Sequence, residues 1–449
     1  MNTIAAVATP PGSGGISIIR VSGLEALAIA GRVCPAFARK TPAPLTMVYG
    51  SFLRNGVPVD KGYCVYMPPQ RSYTGEDTVE FHCHGGRIVT SMVLQAVLEA
   101  GCRVAAPGEF TRRAFLNGRI KLSAAEAVMD LINARTDGAA KIALRQLEGR
   151  LDGQIRGLED NLLDIIARAE VTVDYPEEDI EELVSAELLT AVSAMVQRLN
   201  ILLETAKEGQ LYRKGVRIVL AGLPNAGKSS LLNALTGTDR AIVTSIPGTT
   251  RDIIEAEGEL GGLPVTWVDT AGIRESVDEV ERIGVDRAQK AMAEAQLVLL
   301  LLDGDRNLTK EDYALYESIR EMPHLLAVAK VDKGRGLVSL DAFPGEKVYE
   351  VSSVTGEGIQ ALREGILNKL GKSDADPEDA VMSDARHIDA AGRARASLLR
   401  VINTLKEGFP PEIAVSDLRE AWHSLGEITG DTADEAVIDR IFAKFCVGK

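Results

Sequence analysis

The sequence predicts a multidomain chain in which an α+β domain comes first, followed by an all-α helical domain with an α/β nucleotide-binding domain inserted into it. Three observations predict this. Gly222-Leu223-Pro224-Asn225-Ala226-Gly227-Lys228-Ser229 fits G-x-x-x-x-G-K-[ST], between an apolar run at 217–221 and a helical pattern at 230–235. Helix-period apolar stripes lie on both sides of that segment, before residue 209 and after residue 379. Ahead of them, short β-rich runs alternate with Gly/Pro turns as far as residue 118.

The chain has 449 residues, enough for roughly three domains. An apolar content of 45% can fill that many cores. The formal net charge of −14 opposes binding to nucleic acid or membrane through the overall field, so any RNA contact needs a local basic patch. Five scattered cysteines without a CxxC suggest neither a disulfide framework nor a zinc site. The start, with Thr9-Pro10-Pro11-Gly12, lacks the basic and apolar regions of a signal peptide. The longest aliphatic run, 297–302, is too short to span a bilayer. These features imply a soluble protein of a reducing compartment, with no membrane partner.

The first domain (1–118) carries predicted strands at 15–21, 62–67 and 78–84, and a helix at 89–99. On the third strand, period-2 alternation separates Val79, Phe81 and Cys83 from Glu80, His82 and His84. The latter face is either a metal site or a polar surface turned to a ligand. Residues 119–214 form the first helical part, with Leu158, Leu162, Ile165, Ile166 and Ala169 on one stripe. The acidic run at 177–182 reads as a helix start after Pro176. Residues 215–372 are the insert, bounded by expected linkers at 209–215 and 371–377. The second helical part, 373–449, has Leu398, Val401, Ile402 and Leu405 in period. Its Arg386, Arg393, Arg395 and Arg400 form either an RNA surface or a solvated face.

Within the insert, glycines let the backbone wrap a phosphate chain while successive N–H groups and a helix N-terminus face the anion. Lys228 would reach the β- and γ-phosphates, and Ser229 would bind Mg²⁺. Thr250 of Gly248-Thr249-Thr250-Arg251-Asp252 supplies a second Mg²⁺ ligand. Asp269-Thr270-Ala271-Gly272 follows, with Asp269 on Mg²⁺ through water and the Gly272 N–H sensing the γ-phosphate. Lys330-Val331-Asp332 and Ser352-Ser353 then read the base, Asp332 accepting the guanine N1–H and N2–H₂. The insert is therefore a Ras-like P-loop GTPase domain. Its nucleotide contacts are Asn225, Ala226, Gly227, Lys228, Ser229 and Ser230; Thr244, Ser245, Ile246, Pro247, Gly248, Thr249 and Thr250; Asp269, Thr270, Ala271 and Gly272; and Lys330, Asp332, Ser352 and Ser353. Two positions depart from the usual pattern. Ala329 stands where the base-reading loop usually has an asparagine, so the amide that would brace it is missing. Ile273 stands where Ras-like enzymes carry a water-orienting glutamine, so that function must come from elsewhere.

From end to end the chain resembles the MnmE (TrmE) family of tRNA-modifying GTPases. The matching stretches are 9–12 with 19–23, Tyr73-Thr74-Gly75-Glu76-Asp77 with His84-Gly85-Gly86, and Pro107-Gly108-Glu109-Phe110 with 114–117. The insert with Asn225 and 248–252, and the terminal Phe445-Cys446-Val447-Gly448-Lys449, complete them. The resemblance implies a cytoplasmic homodimer formed through the N-terminal domains. It also implies a flavin-dependent MnmG-type partner in a heterotetramer or larger assembly, with tRNA as substrate. Together they would place an aminomethyl or carboxymethylaminomethyl group on C5 of the wobble uridine, using 5-formyl-tetrahydrofolate or a related reduced folate. It further implies K⁺ held by Asn225, Thr244, Ile246 and Thr249, and water oriented by Glu281, which answers the question raised by Ile273. Arg20, Glu80, Arg119 and Lys449 would bind folate, and Cys446 would serve tRNA modification. A GTP-dependent switch or ribosome-assembly factor without RNA chemistry is the alternative reading, and a folate carrier is a third.

Overall fold

The computed structural model describes residues 2–38, 43–174, 178–237, 254–269, 290–334, 343–372 and 381–448. The chain divides into two compact units. One comprises Met1–Met129, Gln146–Leu188 and Asn403–Lys449; the other comprises Asp130–Arg145 and Leu189–Ile402.

The first unit begins with strands β1 (Ile4–Val7), β2 (Ile16–Ser22), β3 (Met47–Arg54), β4 (Val57–Met67), β5 (Thr78–His84) and β6 (Arg103–Val104). They form one sheet of order β3-β4-β5-β2-β1-β6. All pairings are antiparallel except β1 with β6. The expected strands at 15–21 and 78–84 are β2 and β5, and 62–67 is the second part of β4. The alternation on β5 is observed: Val79, Phe81 and Cys83 are buried, facing helices α1 (Ala26–Val33) and α3 (Arg87–Glu99), with the short α2 (Pro35–Ala38) alongside. Phe52 and Phe81 meet edge to face at 5.5 Å in this core.

Helices α4 (Glu109–Leu116), α5 (Leu122–Ile132), α6 (Asp137–Leu147), α7 (Arg150–Asp174) and α8 (Glu178–Lys214) follow. All five members of the α7 stripe, from Leu158 to Ala169, are buried. Helix α8 corrects one expectation, because it runs through Gly209 where a linker was expected. Glycine weakens a helix by about 1 kcal/mol relative to alanine. Here its missing side chain admits the chain at 381–382, since a Cβ on Gly209 would stand 2.2 Å from the Met382 carbonyl oxygen. By length and composition alone, Ser185–Lys214 could cross a membrane. Its buried Val192, Met195, Leu199, Leu202 and Ala206 instead recur at helical spacing, as a core-facing stripe does.

In the second unit come β7 (Val216–Ala221), α9 (Lys228–Thr236), β8 (Ile254–Leu260), β9 (Leu263–Asp269), β10 (Leu297–Asp303), α10 (Lys310–Ile319), β11 (His324–Ala329), β12 (Val348–Glu350) and α11 (Ile359–Leu370). The sheet order is β12-β11-β10-β7-β9-β8, parallel throughout except for β8 on β9. Ile218 and Leu220 enter one buried cluster while Val219 and Ala221 enter another, so both faces of the sheet are covered. Helices α12 (Ala385–Lys406), α13 (Pro411–Thr429) and α14 (Glu435–Phe442) end the chain. Leu398, Val401, Ile402 and Leu405 are buried as expected, and α13 packs on α7 within the first unit.

Candidate functional site

Strand β7 lies between β10 and β9, where the chain reverses its direction of travel across the sheet, and its C-terminal end opens into the phosphate loop. Asn225 (φ 64°) and Gly227 (φ 98°) take left-handed conformations there. That geometry turns consecutive N–H groups toward one concavity at the start of α9. Lys228 is buried, and its Nζ donates to the carbonyl oxygens of Gly222 at 2.8 Å and Leu223 at 3.0 Å. Ser229 Oγ donates to Asp269 Oδ2 at 2.8 Å. A hydroxyl and a carboxylate brought together beside a phosphate loop are the oxygen ligands a small hard cation takes.

The segment expected to read the base lies next to this loop. Ala329 is buried, and a Cβ on Gly227 would be 3.7 Å from the Ala329 methyl. Lys330 is left-handed (φ 61°), and its Nζ donates to Asp303 Oδ2 at 2.7 Å. Ser352 Oγ donates to Asp332 Oδ1 at 2.6 Å and accepts from the N–H groups of Val354 and Thr355. The folded chain therefore gathers Asn225, Ala226, Gly227, Lys228, Ser229, Ser230, Asp269, Lys330, Asp332, Ser352 and Ser353 at the C-terminal ends of β7, β9, β11 and β12.

The first unit holds the other candidates. Arg20 and Glu80 are register partners on β2 and β5, and Arg20 Nε donates to Glu80 Oε1 at 2.9 Å. His82 Nε2 lies 3.3 Å from Glu80 Oε2, while the Arg20 guanidinium sits 5.8 Å from the Phe110 ring centroid. His84 turns to Asp60 instead, at 2.7 Å. The strand face is thus a polar, ion-paired surface, and no cluster of metal-ligating residues occurs among the described residues. Arg119 is exposed and lies against Gly75. Cys446 is exposed, its carbonyl oxygen accepting from the Gly108 N–H at 3.3 Å. Phe442 and Phe445 anchor this tail in a cluster with Leu122, Ala125 and Phe115. Gly448 follows in the left-handed region (φ 101°), where a Cβ would stand 2.2 Å from the Val7 carbonyl oxygen.

Two family models match the chain: "GTP-binding protein TrmE N-terminus" over residues 3–119 and "MnmE helical domain" over residues 122–446. A tRNA modification GTPase MnmE of Lactobacillus delbrueckii subsp. bulgaricus is 42% identical over 100% of this chain and 98% of its own length. Proteins of the same description from Enterococcus faecalis (42%, 98% of its length) and Listeria welshimeri (43%, 99%) also match along 100% of this chain. The chain belongs to the MnmE family of tRNA modification GTPases. As a member, it is a hydrolase that binds GTP and acts on it in tRNA modification.

Several residues marked for the MnmE-type site lie outside the described residues: Thr244, Ser245, Ile246, Pro247, Gly248, Thr249, Thr250, Thr270, Ala271, Gly272, Ile273, Glu281 and Lys449. Two features of this MnmE-family site escaped the sequence reading. One is the Ser352 hydroxyl as a support for Asp332, and the other is Asp303. The only sequence signal for Asp303 is an acid closing the apolar strand LVLLLLD. An exposed strand-end acid would leave the same trace.

Proposed function

We propose that this GTPase modifies C5 of the wobble uridine of certain tRNAs, taking a one-carbon unit from a reduced folate such as 5-formyl-tetrahydrofolate. It acts in the cytoplasm as a homodimer through its N-terminal domains, with a flavin-dependent MnmG-type partner in a heterotetramer or larger assembly. The product is an aminomethyl or carboxymethylaminomethyl uridine. The four segments 1–118, 119–214, 215–372 and 373–449 serve as folate and dimerisation domain, helical part, GTPase insert and helical part.

The observation that carries this reading is the seat of the C-terminal tail. Gly448 packs on Val7, whose neighbour Ala6 is the register partner of Arg20, itself paired with Glu80. This supports a pocket in which Arg20, Arg119 and Lys449 hold folate carboxylates and Glu80 accepts from paired N–H donors of a pterin. Cys446 borders the same tail. Exposed Ile16, Met47, Tyr49 and Tyr63 support dimerisation through this sheet, the two tyrosines being register partners with rings 5.3 Å apart.

In the GTPase insert, Ser229 and Thr250 hold Mg²⁺, and Asn225, Thr244, Ile246 and Thr249 hold K⁺. The bound cations supply compensation for charge developing between the β- and γ-phosphates. Lys228 neutralises the phosphates, and Glu281 orients the attacking water in the absence of a glutamine at 273. Deleting the gene and measuring wobble uridines by mass spectrometry tests the function. Loss of the C5 group, restored by the wild-type gene, is expected. An unchanged uridine profile, with no folate binding by calorimetry, would point to a GTP switch without RNA chemistry.

A further inference from the structure

The base-reading loop lacks its usual asparagine, and the structure supplies a different support for it. Asp303 ends β10 and is the register partner of Ala329 on the adjacent β11. Its carboxylate is largely buried and is anchored by the Asp305 N–H, which donates to Oδ1 at 3.1 Å. The other oxygen accepts from Lys330 Nζ at 2.7 Å. The next residue, Gly304, donates its N–H to the Ala329 carbonyl at 3.0 Å, where a Cβ would stand 2.4 Å from that oxygen. The segment 303–305 is therefore pressed onto 329–330 by main chain and side chain together.

The support is needed at that point. Lys330 has φ 61°, a conformation costly for a residue with a Cβ. A charge-assisted hydrogen bond to a largely buried, oriented carboxylate is strong enough to hold it there. Two residues on, Asp332 takes its own support from Ser352. Both ends of the base-reading loop are thus tied, one by Asp303 and one by Ser352. The side chain of Ala329 contributes only a methyl beside Gly227.

We propose that Asp303 is a positioning residue for guanine-nucleotide binding, holding Lys330 so that Asp332 is presented to the base, in place of an asparagine at position 329. The proposal rests on the GTP-site reading above and concerns how that site is built. It is tested on the full-length protein with fluorescent GDP, and by GTP turnover at saturating nucleotide. Asp303→Asn is expected to raise the Kd for GDP about tenfold, the scale of one charge-assisted hydrogen bond, with kcat at saturation within about twofold of wild type. Adding Ala329→Asn to Asp303→Asn should recover most of that loss, whereas Ala329→Asn alone should tighten binding only modestly. If Asp303→Asn fails to fold, Asp303→Ser takes its place in the same cycle.

An unchanged Kd in the Asp303 variant overturns the proposal, as does strict additivity of the two substitutions. A fall in kcat without a change in Kd also overturns it. Asp332→Asn, run in parallel, should shift preference from guanine to xanthine nucleotides. If it does not, the base-site reading itself fails, which separates that failure from the failure of the Asp303 proposal.

Discussion

Ser229 Oγ donates a 2.8 Å hydrogen bond to Asp269 Oδ2, joining the first turn of α9 to the end of β9. Ser229 opens the helix that follows β7, and Asp269 ends β9, the strand paired with β7 in the sheet. Their oxygens form the corner in which Mg²⁺ is proposed to sit. Ser229→Ala should lower Mg²⁺-dependent GTP turnover by roughly two orders of magnitude, since a metal clamp on phosphate contributes several kcal/mol. A Mg²⁺ titration of single-turnover hydrolysis checks this, and wild-type turnover in the variant would contradict it.

Turnover should be much faster in KCl than in NaCl at equal ionic strength. The motivation is Ile273 in place of a glutamine, together with Asn225 held left-handed at the mouth of the phosphate loop. Asn225→Ala should remove the difference between the salts. Equal wild-type rates in both salts would reject the potassium site.

Glu281→Ala should reduce kcat by roughly a hundredfold or more, within the range of positioned general bases. Nucleotide affinity should stay near wild type. A parallel collapse in fluorescent-GDP binding would make Glu281 a structural residue.

Gly448→Val should separate the two functions. A Cβ there meets the Val7 carbonyl at 2.2 Å and must push the tail off the N-terminal sheet. Calorimetric titration with a reduced folate should show a large loss of affinity, while potassium-stimulated GTP hydrolysis remains. Removal of residues 447–449 should behave alike. Normal folate binding in both would exclude the tail from that pocket.

Glu159 on α7 predicts a pH effect on stability. Burial, and then the charge of Asp431, push its carboxyl up to about 7, with Arg156 and Lys121 opposing and Asp160 adding to the rise. A carboxyl raised in the folded state favours folding when protonated. That contribution is complete below the unfolded value near 4.5 and is lost as pH rises through about 7. Glu159→Gln should therefore melt like wild type at pH 4.5, and a few degrees higher at pH 9. Calorimetric melts at the two pH values decide it, and an equal shift at both would remove titration as the cause.

What sequence alone determined was whatever contiguous residues build. The phosphate loop is one run, and its left-handed positions and the following helix come from local geometry, so the turn and the start of α9 were legible with their partners hidden. The stripes of α7 and α12 were legible because burial in a helix follows a short period. Strands β3 and β6 were not, since a two-residue β6 exists only because β1 offers it a partner. Nor was the continuation of α8 through Gly209, where close approach of Met382 outweighs a local helix penalty. The pairs Asp303–Lys330, Ser352–Asp332 and Gly448–Val7 depend on sheet register and on the docking of distant segments. A side chain's partner across such a distance is selected by packing of the whole domain, which no local pattern encodes, and so only the tertiary structure decided how the base-reading loop is braced and where the tail is seated.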